Sequence, residues 1–282
     1  MRTLRILNLH YFGEKESKNR TVKKIILINK KEGETPLEAL ENFRRKHKTY
    51  KYAKMTYAGR LDPMASGLLL VLVGKEVKNK EKYLALDKEY NFEVLFGFAT
   101  DTYDILGKVE HSHILENVGM SLQKKELEKV IKQNLKYFTG KFIQKYPIYS
   151  SKTVKGKPLF AYARNNIDVE IPGKGIFVKE FKFLKLRKIN SAKLLENIKK
   201  RINKMKGDFR QEEILKTWRK FLSARAGLNK NPQSFFVGSF KIKCSSGTYV
   251  RRVANDLGEK ISLPALAFSI KRTKIGKFVK IQ

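Results

Sequence analysis

The 282-residue chain reads as an α+β protein. Two observations carry that reading. Strand-length apolar runs occur at Lys24–Lys30, Leu68–Val73, Asn91–Phe98, Phe177–Lys188 and Phe235–Cys244, while helical spacing of apolar residues occurs at Pro36–His47, Leu122–Phe138, Ser191–Lys206, Gln211–Ala226 and Val250–Leu257. The length allows one large core, with or without an insert.

Taken in order, residues 1–22 open with Leu4, Ile6, Leu7 and Leu9, an edge strand or a tail, followed by a charged stretch. KIILINK is a buried strand, KEGET a turn, and Leu37, Leu40 and Phe43 mark one helical face. The stretch Tyr57–Gly74, YAGRLDPMASGLLLVLVG, organises the rest. Its apolar run must be buried, so Asp62 rides on a turn fixed against the core, a suitable mount for a reactive carboxylate. Asp-Pro also suits the start of a short helix or turn, with Asp as the cap, and spacing alone does not separate the two.

Beyond it, Tyr90 stands at a strand edge, and Asp101 and Asp104 read as turn-shaping residues. The segment 144–166 interleaves Lys145, Lys152, Lys155, Lys157 and Arg164 with Tyr146, Tyr149, Phe160 and Tyr162. Cations hold phosphates and aromatic faces accept unstacked bases, so this pattern suits looped RNA; a solvated hairpin with its aromatics in the core is the other reading. Leu194, Leu195, Ile198, Ile202 and Met205, then Ile214, Leu215, Trp218 and Leu222, form the apolar faces of a helical hairpin over 191–231, with a basic outer side. It is expected to be an insert, peripheral to any chemistry.

Lys and Arg number 61 against 27 Asp and Glu, a net charge of +34. That surplus favours a polyanionic partner, RNA before an anionic membrane, although a Lys-rich composition could also produce it. No apolar run approaches the length of a membrane span, and the opening residues carry no signal-peptide core. The single cysteine, Cys244, precludes an internal disulfide, and no Cys/His cluster has zinc spacing. A soluble, cytoplasmic, metal-free, RNA-facing protein is therefore expected, and it is expected to be a monomer without a cofactor.

Gly59, Leu61, Asp62, Pro63, Ala65, Ser66, Gly67 and Leu69 fit the string G-H-T-G-T-L-D-P-x-A-[ST]-G-[VL]-L, and Cys244–Gly258 is similar to C-S-x-G-T-Y-[IV]-R-x-[IL]-x-x-D-L-G, with Val253 at the [IL] position. Both resemble motifs of the TruB-type tRNA pseudouridine synthases. Weaker matches are Lys30, Gly33 and Thr35 to K-P-x-G-x-[ST]-S, Asp87–Tyr90 to D-K-x-Y, Asp101–Gly107 to T-D-T-x-D-x-x-G, and Pro147–Arg164 to an RNA-gripping insertion. The resemblance implies a single catalytic domain built on a mixed, largely antiparallel sheet with flanking helices. It implies Asp62 as nucleophile, or as the base that starts elimination at the sugar; Arg251 as its partner; and Tyr90 stacked on the target uracil. Ile270 would close the other side of the base. Tyr57, Arg60, Lys30, Lys78, Tyr249, Lys152 and Arg164 complete the expected substrate-binding set. Tyr57 replaces the family's His and Thr56 a Gly, which bears on substrate choice more than on chemistry. Members of the family usually carry a small C-terminal PUA domain, and none is expected within these 282 residues. The expected substrate is a uridine in the tRNA T-arm. A non-catalytic RNA chaperone on the same scaffold, or the same chemistry on another RNA, stays open.

Overall fold

The computed structural model describes residues 23–110, 123–226 and 234–279. The opening apolar patch at residues 4–9, the start of the expected helix at Leu122 and the end of the expected insert at 227–231 lie outside them. The order of elements is β1 (Ile25–Lys30), α1 (Pro36–Lys46), β2 (Met55–Ala58), β3 (Ala65–Val73), α2 (Lys80–Leu84), β4 (Lys88–Phe96), α3 (Lys124–Asn134), β5 (Gly140–Lys145), β6 (Thr153–Val154), β7 (Lys157–Pro158), α4 (Leu159–Arg164), β8 (Gly173–Asn190), α5 (Ser191–Ile202), α6 (Gln211–Ala226), β9 (Ser234–Cys244), α7 (Val250–Lys260), β10 (Ala265–Ile275) and β11 (Phe278–Val279).

Among the described residues nine strands share one sheet, in the order β1-β3-β10-β4-β9-β8-β5, with β2 added to β3 and β11 to β10. Every pairing in it is antiparallel except β3 with β10, which run parallel through Ile270–Ala65, Lys271–Ser66 and Arg272–Gly67. The sheet is thus mixed and largely antiparallel. The two chains come so close at the parallel pairing that a Cβ on Gly67 would stand 2.2 Å from the Arg272 carbonyl oxygen, and Gly67 itself has φ of +107°. Only glycine fits there.

Alternation along β3 shows why its apolar run was continuous. Leu69, Val71 and Val73 face Ile26, Ile28 and the α1 residues Ala39, Leu40 and Phe43. Leu68, Leu70 and Leu72 face Ala58, Ile275 and Phe278. A strand covered on both sides needs no polar face. Helix α1 starts on a capping box, with Thr35 as the cap and Glu38 reaching back to its amide.

The helix pair α5–α6 falls between the sheet strands β8 and β9 in the chain. Leu194, Ile198, Ile202, Ile214, Trp218 and Leu222 belong to the same core as Val94, Phe96 and Phe240 of the sheet. The Trp218 ring lies 5.0 Å from that of Phe98. Arg201 of α5 pairs with Glu32, donates to the Phe268 carbonyl and lies over the Phe268 ring at 5.2 Å. The pair is built into the main core.

Candidate active site

Asp62 sits where β2 has ended and β3 has not begun. The Ala65 amide donates to the Asp62 carbonyl at 2.9 Å, closing a turn over Pro63 and Met64. So the turn reading was right, but the Asp62 side chain caps no helix; it goes to Arg251. A bend of this kind leaves carbonyls without partners, and two buried cations supply them. Lys30 Nζ donates to Ala65 O at 2.6 Å, Lys31 O at 2.9 Å and Pro63 O at 3.4 Å. Arg272 of β10, 1% exposed, donates from Nε to Leu68 O at 2.7 Å, from Nη1 to Arg60 O at 3.2 Å and from Nη2 to Gly59 O at 3.1 Å. Burial lowers the Lys30 ammonium to about 8, with Glu34, Asp62 and Glu32 acting against the fall.

Arg251 enters from the first turn of α7. Its Nε lies 2.9 Å from Asp62 Oδ2, its Nη1 donates to Thr102 O at 2.8 Å and its Nη2 to Tyr149 O at 2.7 Å. The arginine side chain is 3% exposed and that of Asp62 38%. The guanidinium is therefore anchored inside while the carboxylate faces a ligand's side. Burial works against the arginine's charge, but Asp62 and Asp104 more than offset it. Behind the pair, Asp104 accepts from Thr102 Oγ1 at 2.8 Å and from the Leu106 amide at 2.9 Å, the turn-shaping role expected of it. Burial pushes its carboxyl up to about 6 although Arg251 pulls the other way. Gln144 clamps the entry to α7: its Oε1 accepts from the Tyr249 amide at 2.8 Å and its Nε2 donates to the Tyr249 carbonyl at 3.2 Å.

Tyr90 and Ile270 lie on neighbouring strands. Tyr90 is opposite Arg272 and Ile270 opposite Phe92, which puts the two on one face a diagonal step apart. Both are buried in the core that also holds Leu61. Burial raises the Tyr90 phenol, with Arg272 opposing. Tyr249 is half-buried, its ring 5.8 Å from the Arg251 guanidinium and 5.6 Å, edge-on, from Tyr146. Lys152 is exposed over Tyr146 at 5.5 Å. The 144–166 segment forms the β6–β7 hairpin and α4, and Arg164 donates to the Asp208 carbonyl at 3.1 Å.

The structure thus brings Asp62, Arg251, Tyr90, Tyr249 and Ile270 to the start of β3, beside the middle of β10. It does not do so for all the expected substrate-binding residues. Lys30 is fully buried, its ammonium spent on backbone carbonyls beneath the Asp62 turn, and so cannot meet a phosphate. Lys78 is exposed on the 3-10 segment Gly74–Asn79, which follows the opposite end of β3 from Ala65. Tyr57 is half-buried on β2 and Arg60 is exposed beside Asp62. Arg272, Gln144 and the carbonyls of Thr102 and Tyr149 were not foreseen. Arg272 stood two residues beyond Ile270 in a string already in view. Among the described residues no group of three or more His, Cys, Asp or Glu side chains converges on a metal-sized site.

Comparison with known proteins gives the family. The family described as TruB family pseudouridylate synthase, N-terminal domain, matches residues 45–209, more than half of the chain. A tRNA pseudouridine synthase B of Caldicellulosiruptor saccharolyticus is 31% identical over 254 residues, covering 90% of this chain and 68% of its own. The protein of the same name in Lactobacillus acidophilus is 32% identical over 254 residues, covering 90% and 69%. Among solved structures, a chain in the crystal structure of a Cbf5-Nop10-Gar1 complex overlays with a TM-score of 0.50 at 17% identity, over 90% of this chain and 50% of that one, and so shares the fold. The matched span contains Asp62 on its turn, and the relatives cover 90% of the chain; the chain belongs to the TruB family of pseudouridylate synthases.

Proposed function

We propose that the protein converts a uridine in the T-loop of tRNA to pseudouridine, with Asp62 acting directly on the reacting nucleoside. The observation that carries this reading is the Asp62–Arg251 pair, 2.9 Å apart, with the carboxylate 38% exposed and the guanidinium buried. Family membership and the relatives' names supply the reaction. In it the N1–C1′ bond breaks, the detached uracil turns, a C5–C1′ bond forms and the C5 proton leaves.

Each nearby group has a task in that sequence. Asp62 attacks at the sugar or takes a proton from it; a carboxylate held by a fixed cation is already oriented for either. Tyr90 and Ile270, on one sheet face, flank the uracil while it is detached. The phenol of Tyr90, raised by burial, remains an un-ionised donor and stacking surface at neutral pH. A base inside a stacked loop is out of Asp62's reach, so the target uridine must be flipped out. Tyr57 and Arg60, together with Lys152 and its Tyr146 neighbour, would hold the opened loop by stacking and by phosphate contact. No step needs a redox group.

The test is incubation with an unmodified tRNA transcript and mapping of any pseudouridine. Product at one T-loop position is expected. RNA binding without product, in protein that is folded, overturns the assignment in favour of a non-catalytic role.

A further inference from the structure

The connector between α5 and α6 ends at Arg210, whose φ is 59°. That left-handed backbone is costly for a residue with a long side chain, so the side chain must be of use. It is 15% exposed. Nη1 lies 2.6 Å from Asp101 Oδ2 and donates to the Tyr149 hydroxyl at 2.9 Å. The guanidinium also covers the Tyr149 ring, 4.4 Å from its centre. Asp101 immediately precedes Thr102, and the carbonyls of Thr102 and Tyr149 are the two that hold Arg251.

We propose that Arg210 is a positioning residue for the reaction, locking together the two backbone segments from which Arg251, and through it Asp62, takes its orientation. Asp101 Oδ1 accepts from the Lys108 amide at 2.9 Å, so a pull on Asp101 is passed to its whole loop. The connector carrying Arg210 cannot drift, because it is seated elsewhere. A Cβ on Gly33 would stand 2.7 Å from that of Lys204, and Arg201 is tied to Glu32. The helix pair therefore serves the chemistry through its connector: core packing fixes the connector, the connector fixes Arg210, and Arg210 ties together two loops, of which the 100–109 loop also meets α6 directly through Lys108–Glu213 at 3.4 Å and the Val109 amide to Thr217 Oγ1 at 3.2 Å. The proposal rests on the function assigned above.

The experiment compares wild type, Arg210→Ala, Arg210→Lys and Asp101→Asn. Single-turnover rates are measured at saturating tRNA transcript, RNA affinity separately, and amide hydrogen exchange over residues 100–108 and 147–151 without RNA. Arg210→Ala should lower the saturated rate about 10- to 100-fold while affinity changes little, because misplacement without lost contact costs rate. Arg210→Lys should recover part of it, and exchange in both segments should quicken. Asp101→Asn, which keeps the Lys108 bond but loses the charge, should show the same signature in milder form. A saturated rate equal to wild type, or a loss confined to affinity, overturns the proposal; the second result would make Arg210 an RNA phosphate contact. If Arg210→Ala does not fold, wild-type rates in Asp101→Asn overturn it equally. If wild type itself makes no pseudouridine, the functional assignment fails, and unchanged exchange in the variants then decides against the inference on its own.

Discussion

Replacing Arg251 by lysine keeps a positive charge in the site and removes the fork. Arginine meets Asp62, Thr102 O and Tyr149 O through three different nitrogens, spread in a plane. A lysine ammonium can satisfy one of these directions well. Two bonds from a charged donor are then lost, at about 1.5–3 kcal/mol each, and relaxation recovers some of that, leaving an expected loss of about 2–4 kcal/mol. For a chain of this size each kcal/mol moves the melting temperature by about 2–4 °C, so a fall of about 5–15 °C is expected. The kinetic loss has another origin. Asp62 keeps an attractive neighbour but loses a fixed direction, and a shift of about 1 Å in a reacting group costs about 100-fold. RNA affinity should scarcely change, since the arginine is 3% exposed and offers nothing to a phosphate. The assay is release of tritium from [5-³H]uridine in tRNA under single-turnover conditions, beside a thermal melt. A rate within about threefold of wild type, less than 1 kcal/mol in barrier, would refute the claim that the fork sets Asp62.

Asp62→Asn, which removes the charge and keeps the shape, should abolish isomerisation while RNA binding persists; appreciable turnover in a preparation free of host enzyme would overturn the role of Asp62. Lys30→Met should destabilise the protein by about 1–3 kcal/mol in urea titration, since Ala65 O and Lys31 O lose their charged donor, and should slow turnover through the Asp62 turn. Stability should fall as pH rises from about 4 to about 6, because Asp104, raised from 3.8 to about 6, keeps its proton in the folded state where the unfolded chain has released it. Asp256, raised over the same window, adds to the slope, so Asp104→Asn should flatten the pH profile of urea midpoints in part and not wholly.

What could be read from the residues was whatever is contiguous. The turn at Asp62 and strand β3 lie within one string, and Arg251 opens a helix after a Gly-Thr turn in another; each string carries its own local geometry. The supports were hidden for a physical reason. Arg272 reaches Gly59 O, Arg60 O and Leu68 O across more than 200 positions, and a backbone carbonyl carries no residue identity to recognise. Gln144 clamps Tyr249 across 105 positions in the same anonymous way. Lys30 was noticed in its motif but given the wrong task, because a lysine in a Gly turn looks the same whether its ammonium points to solvent or under a bend. The helical faces of 191–226 were legible as amphipathic stripes, yet a stripe does not say which surface it closes against.

The single parallel pairing has a bearing on how the protein comes to be. Strand β10 lies between β3 and β4, yet it follows them in the chain by well over 150 residues. Until it arrives, the sheet exists as two parts that cannot join, β1-β2-β3 on one side and β4-β9-β8-β5 on the other. Each offers an unpaired edge, which on β3 is Ala65–Gly67, since β2 already pairs with Leu70–Val73. Closing so long a loop before any contact rewards it is slow, on the order of milliseconds to seconds. During synthesis the chain thus accumulates its positive charge, and any hold on RNA that charge brings, well ahead of a seated Asp62, whose turn acquires Arg272 only when β10 closes the seam.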